Sequence, residues 1–401
     1  MSKRLRDVAE VHYGRSPNEV LTEDSPIPII GTGGIYGRAS RAMYNGPAVV
    51  VPRKGSLGNP QYVDEPFWPV DTTYAVIPKT GIDAKWLYYS LDTFDLTKLN
   101  EATGVPSISC DWLYKVPVGS GEYGEQHRIA EILSTVDEAI EQTEALIAKY
   151  QRIKTGLMQD LFTRGVTPDG QLRPTRAKAP HLYREYHCGW IPKEWDMVAV
   201  KDCGSVQLGR QRSPDQMSGR WTMPYLRVAN VFDGYIDYGD VLEMDFTPDE
   251  RRTFSLKQGD ILLNEGQSLE LVGRCALYNG QDDAFCFQNT LVRFRPFDKQ
   301  CPFFYRFLFK WFLDCGLFMR IAKQTTSVAH LGADRFARMR CVSVPYVEQL
   351  RIAERLEVLQ SRLNTDIAFA SKLRQQKHGL MHDLLTGRVR VKVGEPEKGV
   401  V

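Results

Sequence analysis

Apolar positions along this chain follow two patterns that alternate. In 126–162, Ile129, Leu133, Val136, Ile140, Thr143, Ile147, Tyr150, Leu157 and Leu161 recur in steps of four and three, with one step missed at Lys154. That spacing lines up one stripe on one side of an α-helix. A second stretch, 349–385, places Ile352, Leu356, Leu359, Leu363, Ala370, Leu373, Leu380 and Leu384 at matching positions, interrupted at Asp366. Each predicts a long amphipathic helix, about 55 Å at 1.5 Å per residue. Elsewhere the apolar residues form short runs that read as strands, such as Ala48-Val49-Val50-Val51, Ile261-Leu262-Leu263 and Thr290-Leu291-Val292-Arg293-Phe294. One apolar helix stands in each half, at 85–91 and 303–309, and its aromatic stripe reads as core.

The two long helices are copies. Gln126-His127-Arg128-Ile129-Ala130-Glu131-Ile132-Leu133 returns as Gln349-Leu350-Arg351-Ile352-Ala353-Glu354-Arg355-Leu356. Lys154-Thr155-Gly156-Leu157-Met158-Gln159-Asp160-Leu161 returns as Lys377-His378-Gly379-Leu380-Met381-His382-Asp383-Leu384, at the same shift of 223 residues. Upstream, Thr103-Gly104-Val105 pairs with Thr326-Ser327-Val328, and Asp111 with Asp334. Near the start of each half, Leu5-Arg6-Asp7-Val8 resembles Val200-Lys201-Asp202-Cys203. Each leads to Gly-Arg (Gly14-Arg15, Gly209-Arg210) and then Ser-Pro (Ser16-Pro17, Ser213-Pro214).

The chain therefore reads domain, helix, domain, helix. The expected fold class is α+β: two mixed α/β domains separated by two long antiparallel, coiled-coil-like helices, with a pseudo-twofold internal repeat. The expected boundaries are 1–121 for the first domain, 122–165 for the first helix and 166–197 for a linker rich in proline and glycine that ends as the entry to the second domain. They continue with 198–347 for the second domain, 348–388 for the second helix and 389–401 for a tail. Ile129, Leu133, Val136, Ile140, Leu157, Leu161, Ile352, Leu356, Leu359, Leu363, Leu380 and Leu384 are the expected helix or subunit interface. The alternative is that each helix packs only on its own domain. Gly156 and Gly379 fall at one repeat position, which fits a bend, a close contact or a fraying turn.

Composition narrows the function. Hydrophobic residues make up 43% and charged residues 25% of 401, as in ordinary globular proteins. No apolar run is long enough to span a membrane, and no apolar run follows the basic Met1-Ser2-Lys3-Arg4-Leu5-Arg6, which predicts no secretory leader. None of the eight cysteines forms a Cys-x-x-Cys pair, which argues against zinc or a disulfide framework and fits a reducing cytoplasm. A net charge of +2 is low for a protein that coats DNA, so any contact with nucleic acid must come from local basic surface.

Two segments offer such a surface. Residues 26–63 carry Arg38, Arg41, Arg53 and Lys54 with no Asp or Glu, among many glycines. Thr32, Gly33, Arg38, Arg53, Lys54, Ser56 and Asn59 are the candidate DNA-binding residues there. In the second half, Arg210, Arg212, Arg220 and Arg227 stand against the single acid Asp215 between 206 and 227. Arg210, Gln211, Arg212, Arg227, Asn230, Asn264 and Gln267 are its candidates. Arginine reads guanine, and asparagine or glutamine reads adenine, in the major groove. Each residue alone equally fits a surface or turn position.

Motifs for chemistry are missing. There is no Asn-Pro-Pro-Tyr or Asp-Pro-Pro-Tyr and no Gly-x-x-x-x-Gly-Lys-Ser/Thr, and His378 with His382 lacks a third metal ligand. No catalytic residue and no metal site is expected.

The ordered, duplicated motifs resemble the specificity subunits of Type I restriction–modification systems. The resemblance rests on Gln126-x-x-Ile129-Ala130-x-x-Leu133 and its copy, and on Gly156-Leu157-Met158-x-Asp160-Leu161 and its copy. Ile29-Ile30-Gly31-Thr32-Gly33-Gly34 and Gly189-Trp190-Ile191-Pro192 add to it. It implies a non-catalytic subunit with two target recognition domains, each reading half of a split DNA site, and helices that set the unread spacer. The implied partners are double-stranded DNA, two modification (methyltransferase) subunits and restriction subunits. S-adenosylmethionine, ATP and magnesium would sit on those partners, with no cofactor in this chain. The second domain departs from the first, with Arg227-Val228-Ala229-Asn230-Val231 in place of Gly-Thr-Gly-Gly, which implies different half-sites. A stand-alone two-domain DNA-binding regulator and a coiled-coil scaffold that binds no DNA are the other readings, and co-purification with a methyltransferase would separate the first reading from both.

Overall fold

The computed structural model describes residues 3–186, 189–211, 219–324 and 328–392. The chain divides into two units, Met1–Leu146 with Asp366–Val401, and Ile147–Thr365. No helix among the described residues is long and apolar enough to cross a membrane.

The first unit holds β1 (Ala9–Tyr13), β2 (Pro28–Gly31), β3 (Gly34–Ala39), β4 (Ala48–Pro52), β5 (Gln61–Val63), β6 (Trp68–Pro69) and β7 (Thr73–Pro78). Helix α1 (Ala84–Asp92) follows, and then the start of α2 (Tyr123–Thr163). One antiparallel sheet has the order β1-β7-β4-β5. In a second sheet, β2 pairs antiparallel with β3 and parallel with β6.

The apolar run of β4 is continuous because both its faces are covered. Val49 and Val51 enter the core formed with Trp86 and Leu87 of α1 and with Ile129 and Leu133 of α2. Ala48 and Val50 enter a second core with Ile30 and Phe67. Successive strand residues face opposite sides, so a strand buried on both sides shows no alternation.

The second unit repeats this order with β8 (Gly204–Leu208), β9 (Thr222–Leu226), β10 (Leu242–Asp245), β11 (Ile261–Asn264), β12 (Cys275–Leu277), β13 (Cys286–Phe287), β14 (Leu291–Pro296) and α3 (Pro302–Asp314), and with α4 (Tyr346–Leu385) as its long helix. The main sheet has the matching order β8-β14-β11-β12, and β9 pairs antiparallel with β10 and parallel with β13. Backbone hydrogen bonds repeat residue for residue. Gly14 N donates to Thr73 O at 3.0 Å and Gly209 N to Leu291 O at 3.0 Å, while Arg15 N donates to Pro69 O at 3.0 Å and Arg210 N to Phe287 O at 3.1 Å.

Each long helix is continuous and serves both units. In the first unit, Ile129, Ala130 and Leu133 share a core with Met381, Leu384 and Leu385, and Lys377 Nζ lies 2.8 Å from Asp137 Oδ1. In the second, Met158, Leu161 and Phe162 share a core with Ile352, Ala353 and Leu356, and Lys154 Nζ donates to Gln360 Oε1 at 2.5 Å. The start of one helix meets the end of the other, so they run antiparallel. The two readings of the apolar stripe therefore combine: the helices pack on each other and on the domains through the same residues. Leu363 is buried, whereas Val136, Ile140, Leu157, Leu359 and Leu380 are half-buried. A Cβ on Gly156 or Gly379 would meet nothing within 4 Å, so neither glycine is required by a close approach among the described residues.

The first residue of the repeat explains why the motif begins there. Gln126 Oε1 accepts from Asp83 N at 3.0 Å, and its Nε2 donates to Gly121 O at 2.8 Å. Gln349 Oε1 accepts from Cys301 N at 2.8 Å, and its Nε2 donates to Val344 O at 2.8 Å. Asp83 and Cys301 are the N-caps of α1 and α3. Each buried glutamine thus satisfies an otherwise orphaned helix-start amide and ties the domain helix to the long helix.

The described residues of 166–197 include paired strands and core residues. They carry a hairpin of Tyr183–Tyr186 with Gly189–Pro192, and Val166, Ile191 and Trp195 lie in the second unit's core.

Candidate nucleic-acid interface

In the first unit the candidates gather at one end of the main sheet. Arg53 follows β4, its N–H donates to Thr72 O at 2.8 Å, and its guanidinium lies 4.8 Å from the Tyr13 ring centroid. Nη1 donates to Asp71 O at 3.3 Å. Burial pushes the Tyr74 phenol up, and that ring lies 5.9 Å from the guanidinium. Contact with the two ring faces holds the cation without an acidic partner among the described residues. Lys54, Ser56 and Asn59 are exposed beside it.

The β2–β3 hairpin turns through Thr32-Gly33, with Gly31 opposite Gly34. Gly34 has φ +118°, a conformation that L side chains rarely adopt. Past the tip, Ile35 and Tyr36 are 63% and 69% exposed. A groove of about 550 Å³ runs between the tip, residues 16–18 and the turn 70–72. That turn also carries the carbonyls that hold Arg53, so Thr32, Gly33, Arg53 and Lys54 border one region. Arg38 lies apart. It is four residues along the strand from Gly34, roughly 13 Å, and donates to Pro26 O at 2.6 Å.

The second unit uses the same frame with different side chains. The loop 227–241 replaces the tight hairpin between β9 and β10. Of the described arginines of the basic run, Arg220 is exposed and the other two are paired: Arg210 is buried, with Nε 2.7 Å from Glu250 Oε1 and Nη1 2.6 Å from Asp245 O. Arg227 Nη2 lies 2.5 Å from Asp240 Oδ2. Arg212 lies outside the described residues. Gln211 is exposed and Gln267 half-exposed.

Asn230 and Asn264 correct the expectation of base-reading amides. Asn230 is buried, accepts from Arg227 N at 3.0 Å and donates to Asp237 O at 3.0 Å and Asp240 O at 2.9 Å. Its hydrogen-bonding capacity is spent on holding the loop. Asn264 is fully buried at the end of β11, with Nδ2 3.4 Å from Val231 O. Arg210 is corrected in the same way, because its guanidinium is turned into its own unit.

Residues 1–151 match the Type I restriction modification DNA specificity domain. Over that segment the chain is similar to the Type I restriction–modification specificity family. It is 24% identical over 331 residues to the Type I restriction enzyme MjaVIII specificity subunit of Methanocaldococcus jannaschii, across 78% of this chain and 71% of that protein. It is 23% identical over 206 residues to the putative MjaX specificity subunit of the same organism, across 51% and 48%. The S subunit of a Type I restriction–modification system from M. genitalium shares the fold, with a TM-score of 0.62 at 16% identity over 96% of both chains. A chain of a type I R-M system, solved for its complex assembly and conformational transition, superposes with a TM-score of 0.55 at 16% identity over 97% of this chain and 98% of that one.

The position of Arg53 is taken by Glu265 in the second unit. Arg53 N bonds Thr72 O at 2.8 Å and Glu265 N bonds Thr290 O at 2.9 Å; Ile108 N bonds Arg53 O at 3.0 Å and Leu331 N bonds Glu265 O at 2.8 Å. Sequence reasoning missed Glu265 because it searched for cations and amides. It missed Tyr13, Ile35 and Tyr36 because exposed aromatic and apolar residues resemble core residues in sequence. Only the paired strands reveal the match of Glu265 to Arg53.

Proposed function

We propose that the two units are target recognition domains reading the two halves of a bipartite DNA target. The subunit docks two methyltransferase subunits and, with them, restriction subunits, in the cytoplasm. S-adenosylmethionine, ATP and magnesium belong to those partners. One observation carries this reading: the units repeat a backbone frame hydrogen bond for hydrogen bond, while side chains at matched positions differ in charge, as Arg53 and Glu265 do. A common scaffold with exchanged surface chemistry suits a protein that presents two different half-sites to identical partners. In the first unit, Arg53 and Lys54 contact phosphate, and the tip around Thr32, Gly33 and Tyr36 approaches the bases.

The test uses the complex assembled with its methyltransferase. The wild type methylates a split motif, mapped by methylome sequencing. Arg53→Ala with Lys54→Ala weakens binding and lowers the salt dependence by about one unit for each phosphate contact removed. Unchanged affinity with an unchanged salt slope removes this segment from the interface.

A further inference from the structure

We infer that His330, held by Glu265, is a specificity-determining contact of the second unit, at the place in the frame where the first unit carries Arg53. The inference rests on the reading of the units as DNA-reading domains.

The backbone register puts Glu265 where Arg53 stands, yet a bare carboxylate facing phosphate would repel it. The structure resolves this conflict. The Glu265 side chain is only 15% exposed, and its Oε2 lies 2.9 Å from His330 Nδ1. The acid is turned inward and covered by the ring, whose side chain remains 43% exposed. A carboxylate bound at Nδ1 fixes the ring's orientation and leaves Nε2 as its free polar atom.

The surroundings make this a built position. His330 lies opposite Gly266 on one neighbouring strand and Lys323 on the other. A Cβ on Gly266 would sit 3.6 Å from the ring's Cε1, so the imidazole rests over bare backbone. Arg335 Nη2 donates to His330 O at 2.6 Å and its Nε to Ile321 O at 2.8 Å, which braces the strand from behind. Lys323 is exposed and supplies the positive charge that a phosphate needs. Gln267 follows on the same strand as Gly266. A ring fixed through one nitrogen by a covered acid, on a braced strand beside a lysine, has the preorganisation that base discrimination requires.

The experiment measures the methylated motif, the affinity for cognate and unrelated duplexes, and the unfolding midpoint of the assembled complex. With His330→Ala, base preference relaxes in one half of the motif only, and cognate affinity falls about tenfold or more while affinity for unrelated DNA holds. Glu265→Ala reproduces this pattern because the ring loses its anchor. Glu265→Gln keeps an acceptor for Nδ1–H and retains the preference, which separates a positioning role from a general loss of fold. An equal loss on cognate and unrelated DNA makes His330 a phosphate contact and overturns the inference, as does an unchanged motif in His330→Ala. A wild-type complex that methylates no split motif sinks the underlying reading instead.

Discussion

Glu125 and Glu348 are the same residue of the repeat, 223 positions apart, and each holds an arginine from the segment that follows the other long helix. Glu348 does so in the interior. Its side chain and that of Arg173 are 6% and 7% exposed, and Oε1 lies 2.5 Å from Nη1. Glu348 also accepts from Val166 N at 2.8 Å and Trp195 Nε1 at 3.1 Å. Glu125 holds Arg390 at 2.8 Å, but that arginine is 67% exposed. The repeat preserves the pairing, and the surroundings set its energy. An exposed pair is screened by water, whereas a buried one leaves an uncompensated charge when either partner is lost.

The largest expected effect breaks this comparison directly. Arg173→Met strands Glu348 among the Val166 and Trp195 donors and destabilises the second unit by about 3–5 kcal/mol. Arg390→Met costs less than about 1 kcal/mol. Denaturant unfolding of the two variants measures both, and equal losses would show that burial does not separate the two sites.

The repeated glutamines should behave nearly alike, because both are buried and share two bonds, although Gln349 Nε2 also donates to Gln300 Oε1 at 2.8 Å. Gln126→Ala and Gln349→Ala each leave a helix-cap amide unpaired, at about 1–3 kcal/mol. A strongly unequal pair of losses would mean that the repeat no longer places the two residues in equivalent surroundings.

The smallest effect concerns Lys154 and Lys377, another pair related by the repeat. Lys377 has Asp137 at 2.8 Å and the Tyr89 ring at 5.4 Å. Lys154 has the neutral Gln360 in that place, with the Phe307 ring at 5.7 Å. Burial lowers the Lys154 pKa, Asp233 opposes the shift, and Lys310 and Arg306 add to it. A lysine whose folded pKa is lowered contributes stability above its unfolded pKa, near 10.4, and loses it as pH falls through the folded value. Its charge is therefore a cost at neutral pH. Lys154→Met holds or raises the thermal midpoint at pH 7, and its advantage over the wild type shrinks as pH rises toward 10. Lys377→Met lowers the midpoint because Asp137 loses its partner. A loss for Lys154→Met as large as that for Lys377→Met would contradict this account.

The sequence by itself determined the two long helices, their duplication and the strands buried on both faces. These depend on spacing within a few turns or residues, and a copied helix keeps its spacing. The family resemblance was legible for the same reason: Gln126, Ile129, Ala130 and Leu133 are one face of one helix, and the domain's packing against that face fixes their types. Only the tertiary structure decided which polar residues face outward. Asn230, Asn264 and Arg210 resembled base readers, but the surrounding loops consumed the hydrogen bonds of Asn230 and Arg210, and Asn264 is fully buried. The match of Arg53 to Glu265 was hidden because loop lengths differ between the halves. The shift between matched residues grows from 195 at Gly14 and Gly209 to 212 at Arg53 and Glu265, 218 at Thr72 and Thr290, and 223 at Ile108 and Leu331. Within the strands, hydrogen-bond register holds the frame fixed while the loops between them change length, and register is a property of paired strands that no single segment carries.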